Sequence, residues 1–277
     1  MINTFQQMLS YPFLVNALIV GILVSLCASL LGVSLVLKRY SMIGDGLSHV
    51  GFAALAVAYA MNVAPLTVSI PVCVIAAFLL LRMNENSKLK GDAATALLCS
   101  GALAVGVMTI SLTSGMNTDV CNYMFGSILS MNKADVKLSI VLSIVVLILY
   151  VLFYNKILAV TFDETFAKAT GTRSNFYNML IAMLTAITVV LGMRMMGTLL
   201  ISSLIIFPAL SSMRICKHFR SVIICSAMFS VVGFVAGIFF SYMHSTPTGA
   251  SIVIVDVIMF ILFNLIEKIK RGRKRNE

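Results

Sequence analysis

Asp45 and His49 lie four positions apart inside an apolar stretch, flanked by Gly44, Gly46 and Ser48. On a helix, i and i+4 share one face, one turn apart. A carboxylate and an imidazole so placed can share a proton or offer two coordination positions to one metal ion. Ionisable groups inside a membrane span are costly and mark transport or relay pathways. The alternative is a mutually satisfied, buried Asp–His hydrogen bond that only ties helices together.

The elements that must carry this pair are membrane helices. The chain is 60% hydrophobic and 11% charged, where soluble domains carry about 25% charged residues. Apolar runs of spanning length recur from end to end, which predicts an all-α polytopic membrane protein of eight or nine transmembrane helices. Nine stretches qualify, at about 12–37, 42–61, 64–81, 93–113, 138–158, 176–192, 197–213, 219–242 and 250–267. They read as a single transmembrane domain over 1–277, closed by a basic tail over 268–277. The N-terminal MINTFQQMLS lacks the basic n-region of a cleaved signal peptide. Six cysteines are scattered without a CxxC pair, so a disulfide framework or zinc cluster is a poor reading.

The net charge of +10 does not point to nucleic acid, because its distribution follows the spans. Seventeen basic residues fall on the side of the C-terminus. Lys133, Lys137 and Arg194 fall on the other. Positive loops stay cytoplasmic, so the N-terminus is expected outside the cytoplasmic membrane and the C-terminus inside. The tail then serves mainly as an orientation signal, with contact to anionic lipid a further role.

Along the chain, span 1 repeats Gly21, Ser25, Ala28, Ser29 and Gly32, spacings that let helix backbones approach. Tyr123–Leu129 is too apolar for a free loop and too short to span, so a short helix in the external mouth is expected. In the loop Val160–Asn175 a helix over about 161–172 is expected. Thr161 would cap it, Asp163 and Glu164 would occupy its first turn, and Gly171 would end it. Phe162, Phe166 and Ala167 give it an apolar face, suited to the lipid interface or to a cytosolic partner. Pro208 interrupts span 7 and should kink it, with Ser202, Ser203, Ser211 and Ser212 available to freed backbone groups. Met193, Met195 and Met196 could suggest copper, but a chain with 18 methionines makes lipid-facing hydrophobes the simpler account. Asp256 is the other intramembrane acid, read as a polar cross-link between helices or a second relay group.

Together these pieces resemble the ABC-3 family of metal-ion ABC transporter permeases. The resemblance rests on LLGVSLVLKRYSMIGDGLSHVGFAALAVAY, NYMFGSIL, FDETFAKATG, and MGTLLISSLIIFPALSSMRI with the later STPTGASIVIV. It implies a membrane subunit that homodimerises, sits on two copies of a separate cytoplasmic ATPase, and receives its ion from an extracytoplasmic metal-binding protein. By the same resemblance Asp45 and His49 match the intramembrane metal site, and FDETFAKATG matches the coupling helix that docks on the ATPase. The cargo would be zinc, manganese or iron. The stretch from Arg194 to Ile215 looks closest to the zinc-uptake branch. No resident cofactor is implied, and ATP would be used by the partner. Asp256 matches no motif of the family, which is often drawn with eight spans rather than nine.

No GxxxxGK[ST] phosphate loop occurs, so no nucleotide site of that kind is expected in the chain. Two other classes compete. A gradient-driven secondary carrier would use Asp45, His49 and Asp256 as a proton relay, but the paired broken helices of such carriers are missing. A membrane scaffold would use the Asp–His pair structurally. Ligand arithmetic adds one expectation: Asp45 and His49 supply only two donors, so a two-fold axis near span 2 would complete the site from a second protomer.

Overall fold

The computed structural model describes residues 11–86, 91–113 and 133–273. Eleven helices, and no strand among the described residues, follow one another: α1 Pro12–Leu37, α2 Ile43–Ala60, α3 Pro65–Asn86, α4 Gly91–Leu112, α5 Lys133–Leu152 and α6 Tyr154–Phe162 come first. After them stand α7 Glu164–Ala169, α8 Ser174–Met196, α9 Thr198–Ile215, α10 Phe219–His244 and α11 Thr248–Arg273. Nine of the described helices are long and apolar enough to span a bilayer, all but α6 and α7. Helices are the required solution, since every backbone polar group must be satisfied without water.

The bundle has a centre and a rim. In α2 and α8, 72% and 78% of the apolar window is buried inside the chain, against 17% in α4 and 22% in α5 and α11. α1 packs against α5, α8, α9 and α10, and α2 packs against α3, α4, α8 and α9. The small residues of α1 make this possible. A Cβ on Gly32 would stand 2.0 Å from the backbone oxygen of Ile205, so only glycine lets α1 and α9 meet there. On the next face Ser230 and Ser226 of α10 donate to the carbonyl oxygens of Ser25 and Ser29, at 2.9 and 3.3 Å. The stripe read from the sequence is a packing face.

Three boundaries differ from expectation. The fifth span starts at Lys133 rather than 138, because Asp135 in its first turn pairs with the buried Arg194 of α8 at 2.8 Å. It ends at Leu152, not 158. The apolar run continues through Phe153, but the backbone turns there and α6 begins. Phe153 stacks edge-on with Tyr177, and Tyr154 lies against Phe219, so aromatic packing fixes a bend with no polar signature. The last helix runs to Arg273, so the start of the basic tail is helical. The Tyr123–Leu129 segment lies outside the described residues.

Candidate metal site and coupling helix

Asp45 lies in the first turn of α2, and His49 follows one turn later. The helix N-terminus favours a carboxylate at that place. His49 Nε2 stands 4.0 Å from Asp45 Oδ2. The other carboxylate oxygen, Oδ1, accepts a hydrogen bond from the Ser202 hydroxyl of α9 at 3.3 Å. Ser202 thereby holds one oxygen and leaves the other turned toward the imidazole, an orienting contact of the kind that tunes ligands.

A third donor arrives from α4. The Cys99 thiol sits so that one ligand atom from each of Asp45, His49 and Cys99 lies within 4.8 Å of the others. α4 comes close to α2 at Gly46, where a Cβ would stand 2.9 Å from Thr95 Cγ2, one turn before Cys99. Donors around a bound zinc stand ~3.5 Å apart. The trio is therefore a little open, and modest side-chain movement would close it. Carboxylate, imidazole and thiol are all ligands to first-row dications.

Two cavities flank the trio, and Asp45 borders both. One of about 430 Å³ lies beside α9, lined by His49, Thr198, Ser202, Ser203, Phe207 and Val253 among others. The other, about 800 Å³, is lined by Arg39, Ser41, Met42, Thr95, Cys99 and Ser100 among others. A polar site opening in two directions can pass an ion from one space to the next.

The remaining sequence candidates fall into place around it. Pro208 is buried in α9 and lines neither cavity, and the helix continues through it to Ile215. Of the nearby serines, Ser212 bonds the Pro208 carbonyl at 2.6 Å, while Ser202 and Ser203 are turned to the two acids. Asp256 is buried and accepts from Ser203 at 3.2 Å, so it ties α11 to α9 as the cross-link reading has it. The expectation of a site shared between protomers rested on a shortage of donors in one chain. Cys99 raises the donors available within one chain from two to three.

Near the Lys38 end of the α1–α2 connection, α7 stands as a short helix with both ends capped. Asp163 is its N-cap, in extended conformation, and its carboxylate accepts from the Phe166 amide at 2.8 Å. Thr161, expected in that role, belongs instead to α6 and is buried, its hydroxyl without a partner. The apolar run Ile157–Phe162 carries α6 on to Phe162, which leaves Asp163 as the first residue free to turn. At the far end Gly171 has φ +78°, its amide bonds Lys168 O at 3.1 Å, and the Thr172 amide reaches Ala167 O at 2.9 Å. That pair of bonds is a Schellman cap. Six residues make a marginal helix unaided; the caps hold it.

Two phenylalanines point outward here, Phe166 of α7 and Phe162, the last residue of α6. Phe162 is 62% exposed and rests on Phe219, and Phe166 is 64% exposed, while Ala167 is buried beneath them. Glu164 anchors the inner side. Its carboxylate accepts from Asn178 of α8 at 3.2 Å and pairs with Lys168 at 2.7 Å, and Lys38 stands 4.0 Å away. Partial burial pushes the Glu164 carboxyl up, but the Lys168 and Asn178 hydrogen bonds and the charges of Lys38 and Lys168 outweigh it. The pKa comes to rest below its ordinary value.

The sequence singles out Asp45, His49 and the residues of FDETFAKATG, but not Cys99, Ser202 as the partner of Asp45, or the Lys38–Asn178–Glu164 contacts. None of these has a local spacing signal, since helix packing brings each together from distant positions.

Comparison with known proteins supplies the rest. The chain is 30% identical over 276 residues to the manganese import system permease protein ScaB of Streptococcus gordonii, covering 99% of both chains. It is 28% identical over 252 residues to the high-affinity zinc uptake system membrane protein ZnuB of Haemophilus influenzae, covering 91% of this chain and 97% of that one. Among solved structures it superposes on PsaBC from Streptococcus pneumoniae in complex with Fab with a TM-score of 0.85, at 29% identity and 95% coverage of each chain. The profile of the ABC 3 transport family matches residues 10–267, nearly the whole length, and the chain belongs to that family.

Proposed function

We propose that the chain is the membrane-spanning permease subunit of an ATP-binding-cassette importer for a divalent transition-metal ion, held in transit by Asp45, His49 and Cys99. The observation that carries this reading is the convergence of the three donors from α2 and α4 between two cavities. It is a transport subunit, with ATP hydrolysis in a separate protein. The ion path runs within each protomer beside α2, since all three donors come from one chain. Two protomers, two ATPase copies and an extracytoplasmic metal-binding protein complete the assembly. The N-terminus is outside and the C-terminus in the cytoplasm, as the charge bias requires.

The cargo is zinc in this reading. A thiolate beside an imidazole and a carboxylate suits zinc, whereas manganese favours all-oxygen or oxygen–nitrogen sets. Manganese is the competing cargo, favoured by the likeness to ScaB over the full chain. The deciding experiment is ATP-dependent uptake into proteoliposomes holding the permease, its ATPase and its binding protein, with zinc, manganese and iron(II) in competition. Zinc uptake suppressed least by the other two supports the zinc reading. Manganese outcompeting zinc replaces it, and uptake driven by a proton gradient without ATP overturns the importer.

A further inference from the structure

The polar contacts that tie α7 to the membrane bundle meet at Glu164: Ser174 donates to its carbonyl oxygen at 3.4 Å, Asn178 donates to its carboxylate, and Lys38 stands beside it. Lys38 follows the last turn of α1, and its side chain is only 9% exposed. Its ammonium donates to the Asn178 side-chain oxygen, and Asn178 in turn donates through Nδ2 to Glu164 Oε2 at 3.2 Å. Glu164 Oε2 itself lies 4.0 Å from Lys38 Nζ. Asn178 is buried. Three elements thus meet at one point: the end of α1, the first turns of α8, and the first residue of α7. A buried ammonium needs anionic or strongly polar company, so the cluster is held together by more than geometry.

Lys38 also opens the five-residue connection to α2, and that connection is stiff. The Arg39 amide bonds Val36 O at 3.1 Å, the Tyr40 amide bonds Leu35 O at 2.8 Å, and the Ile43 amide bonds Tyr40 O at 3.0 Å. Arg39 takes φ +62°, the left-handed conformation usually left to glycine at a helix end. A non-glycine residue held there at a cost of ~1 kcal/mol calls for a reason. One is visible: Arg39, Ser41 and Met42 border the larger cavity together with Asp45 and Cys99. Neighbouring residues therefore face two ways, Lys38 toward α7 and Arg39 toward the ion site.

We propose that Lys38, Asn178 and Glu164 form a polar joint that transmits displacement of α7 through the α1–α2 connection to the cavity holding Asp45 and Cys99. The proposal rests on the reading of α7 as the ATPase-docking helix. When α7 moves, Glu164 and Asn178 drag the Lys38 end of a stiff connection. Arg39, Ser41 and the start of α2 move with it, changing access to the donors. The joint residues are positioning residues: none of them is among the ion donors, and Lys38 and Asn178 are buried away from the exposed Phe162 and Phe166.

The test compares metal moved per ATP hydrolysed in proteoliposomes with permease, ATPase and binding protein, for Lys38→Met, Asn178→Leu, and the exchange Lys38→Glu with Glu164→Lys. Expected in both single variants is retained ATPase co-purification and hydrolysis, with uptake per ATP down about tenfold, and partial recovery in the exchange. An unchanged ratio in Lys38→Met and Asn178→Leu overturns the joint. Loss of ATPase co-purification in both also overturns it, since the cluster would then only hold α7 in shape. Should Lys38→Met fail to accumulate, Asn178→Leu alone decides by the same ratio. Phe166→Asp separates the two ideas. If that variant still binds the ATPase, the docking reading has failed. If it loses the ATPase while the joint variants behave as wild type, only the joint has failed.

Discussion

The ion site and α7 solve opposite problems. Asp45, His49 and Cys99 are partly enclosed among helices, assembled from α2 and α4 and oriented by Ser202 of α9. α7 is built from six consecutive residues, capped at both ends by its own neighbours, and together with Phe162 just before it turns two phenylalanines to the outside. In the proposed function the first desolvates an ion and lets it go, and the second presents a firm apolar knob to another protein. A transit site gains from donors on separate helices, because relative movement of the helices opens and closes it. A docking element gains from local caps, because it has to move as one body.

Removing donors should show the larger effect. Asp45→Asn and His49→Ala are each expected to cut uptake by more than about 100-fold, beyond the 10–100-fold typical of losing an outer partner of a metal ligand. Assembly with the ATPase should be unaffected, as measured by co-purification alongside radiometal uptake. Near-normal transport in either variant would remove that residue from the ion path. Next in size is the docking face. Phe166→Asp replaces an exposed aromatic anchor with a charge, a change worth ~2 kcal/mol or more at an interface centre, roughly 30-fold in affinity. Binding of the ATPase to permease in nanodiscs reads this directly, and an unaltered dissociation constant would leave α7 a lipid-facing helix.

The contrast also explains what could be read before folding. The Asp45–His49 pair is local, so i, i+4 spacing within an apolar run was enough to single it out. The α7 signals are local too: acids, a helical apolar face and a terminating glycine within twelve residues. Even there the cap was misplaced by two residues, because the apolar run before Asp163 sustains α6 and buries Thr161. Cys99 carries no such signal. It sits 50 positions beyond His49 among scattered cysteines, and only the close approach of α4 to Gly46 brings it in. The bend at Phe153 is likewise a matter of tertiary aromatic contacts in an unbroken apolar stretch. Spacing exposes what one helix face holds, and packing decides the rest.

Cys99 sharpens the comparison, since it separates a site of two donors from a site of three. Cys99→Ser keeps the size and loses the soft donor. Zinc uptake is expected to fall about tenfold, with manganese uptake changed little, because thiolate matters more to the softer ion. A cysteine with no part in the path would move neither ion, and equal losses for both would make Cys99 a packing residue.

The smallest effect concerns Glu164 and the pH at which α7 lets go. Its pKa lies below the ordinary value in the folded protein, so the charged form is favoured by folding. The sign follows: the tether's contribution is complete above the ordinary glutamate pKa, and is lost as pH falls through the depressed folded value. The groups around the carboxylate are Lys38, Lys168 and Asn178. Lys168 is largely exposed, and salt will screen its share. Hydrogen-exchange protection of residues 164–170, corrected for the intrinsic pH dependence of exchange, should hold steady from neutral pH through the ordinary glutamate range and drop only below it. Glu164→Gln should show the lower protection at every pH and no such drop. Wild-type protection matching Glu164→Gln at neutral pH would mean the carboxylate does not hold α7, and the short helix would then rest on its two caps and the burial of Ala167 alone.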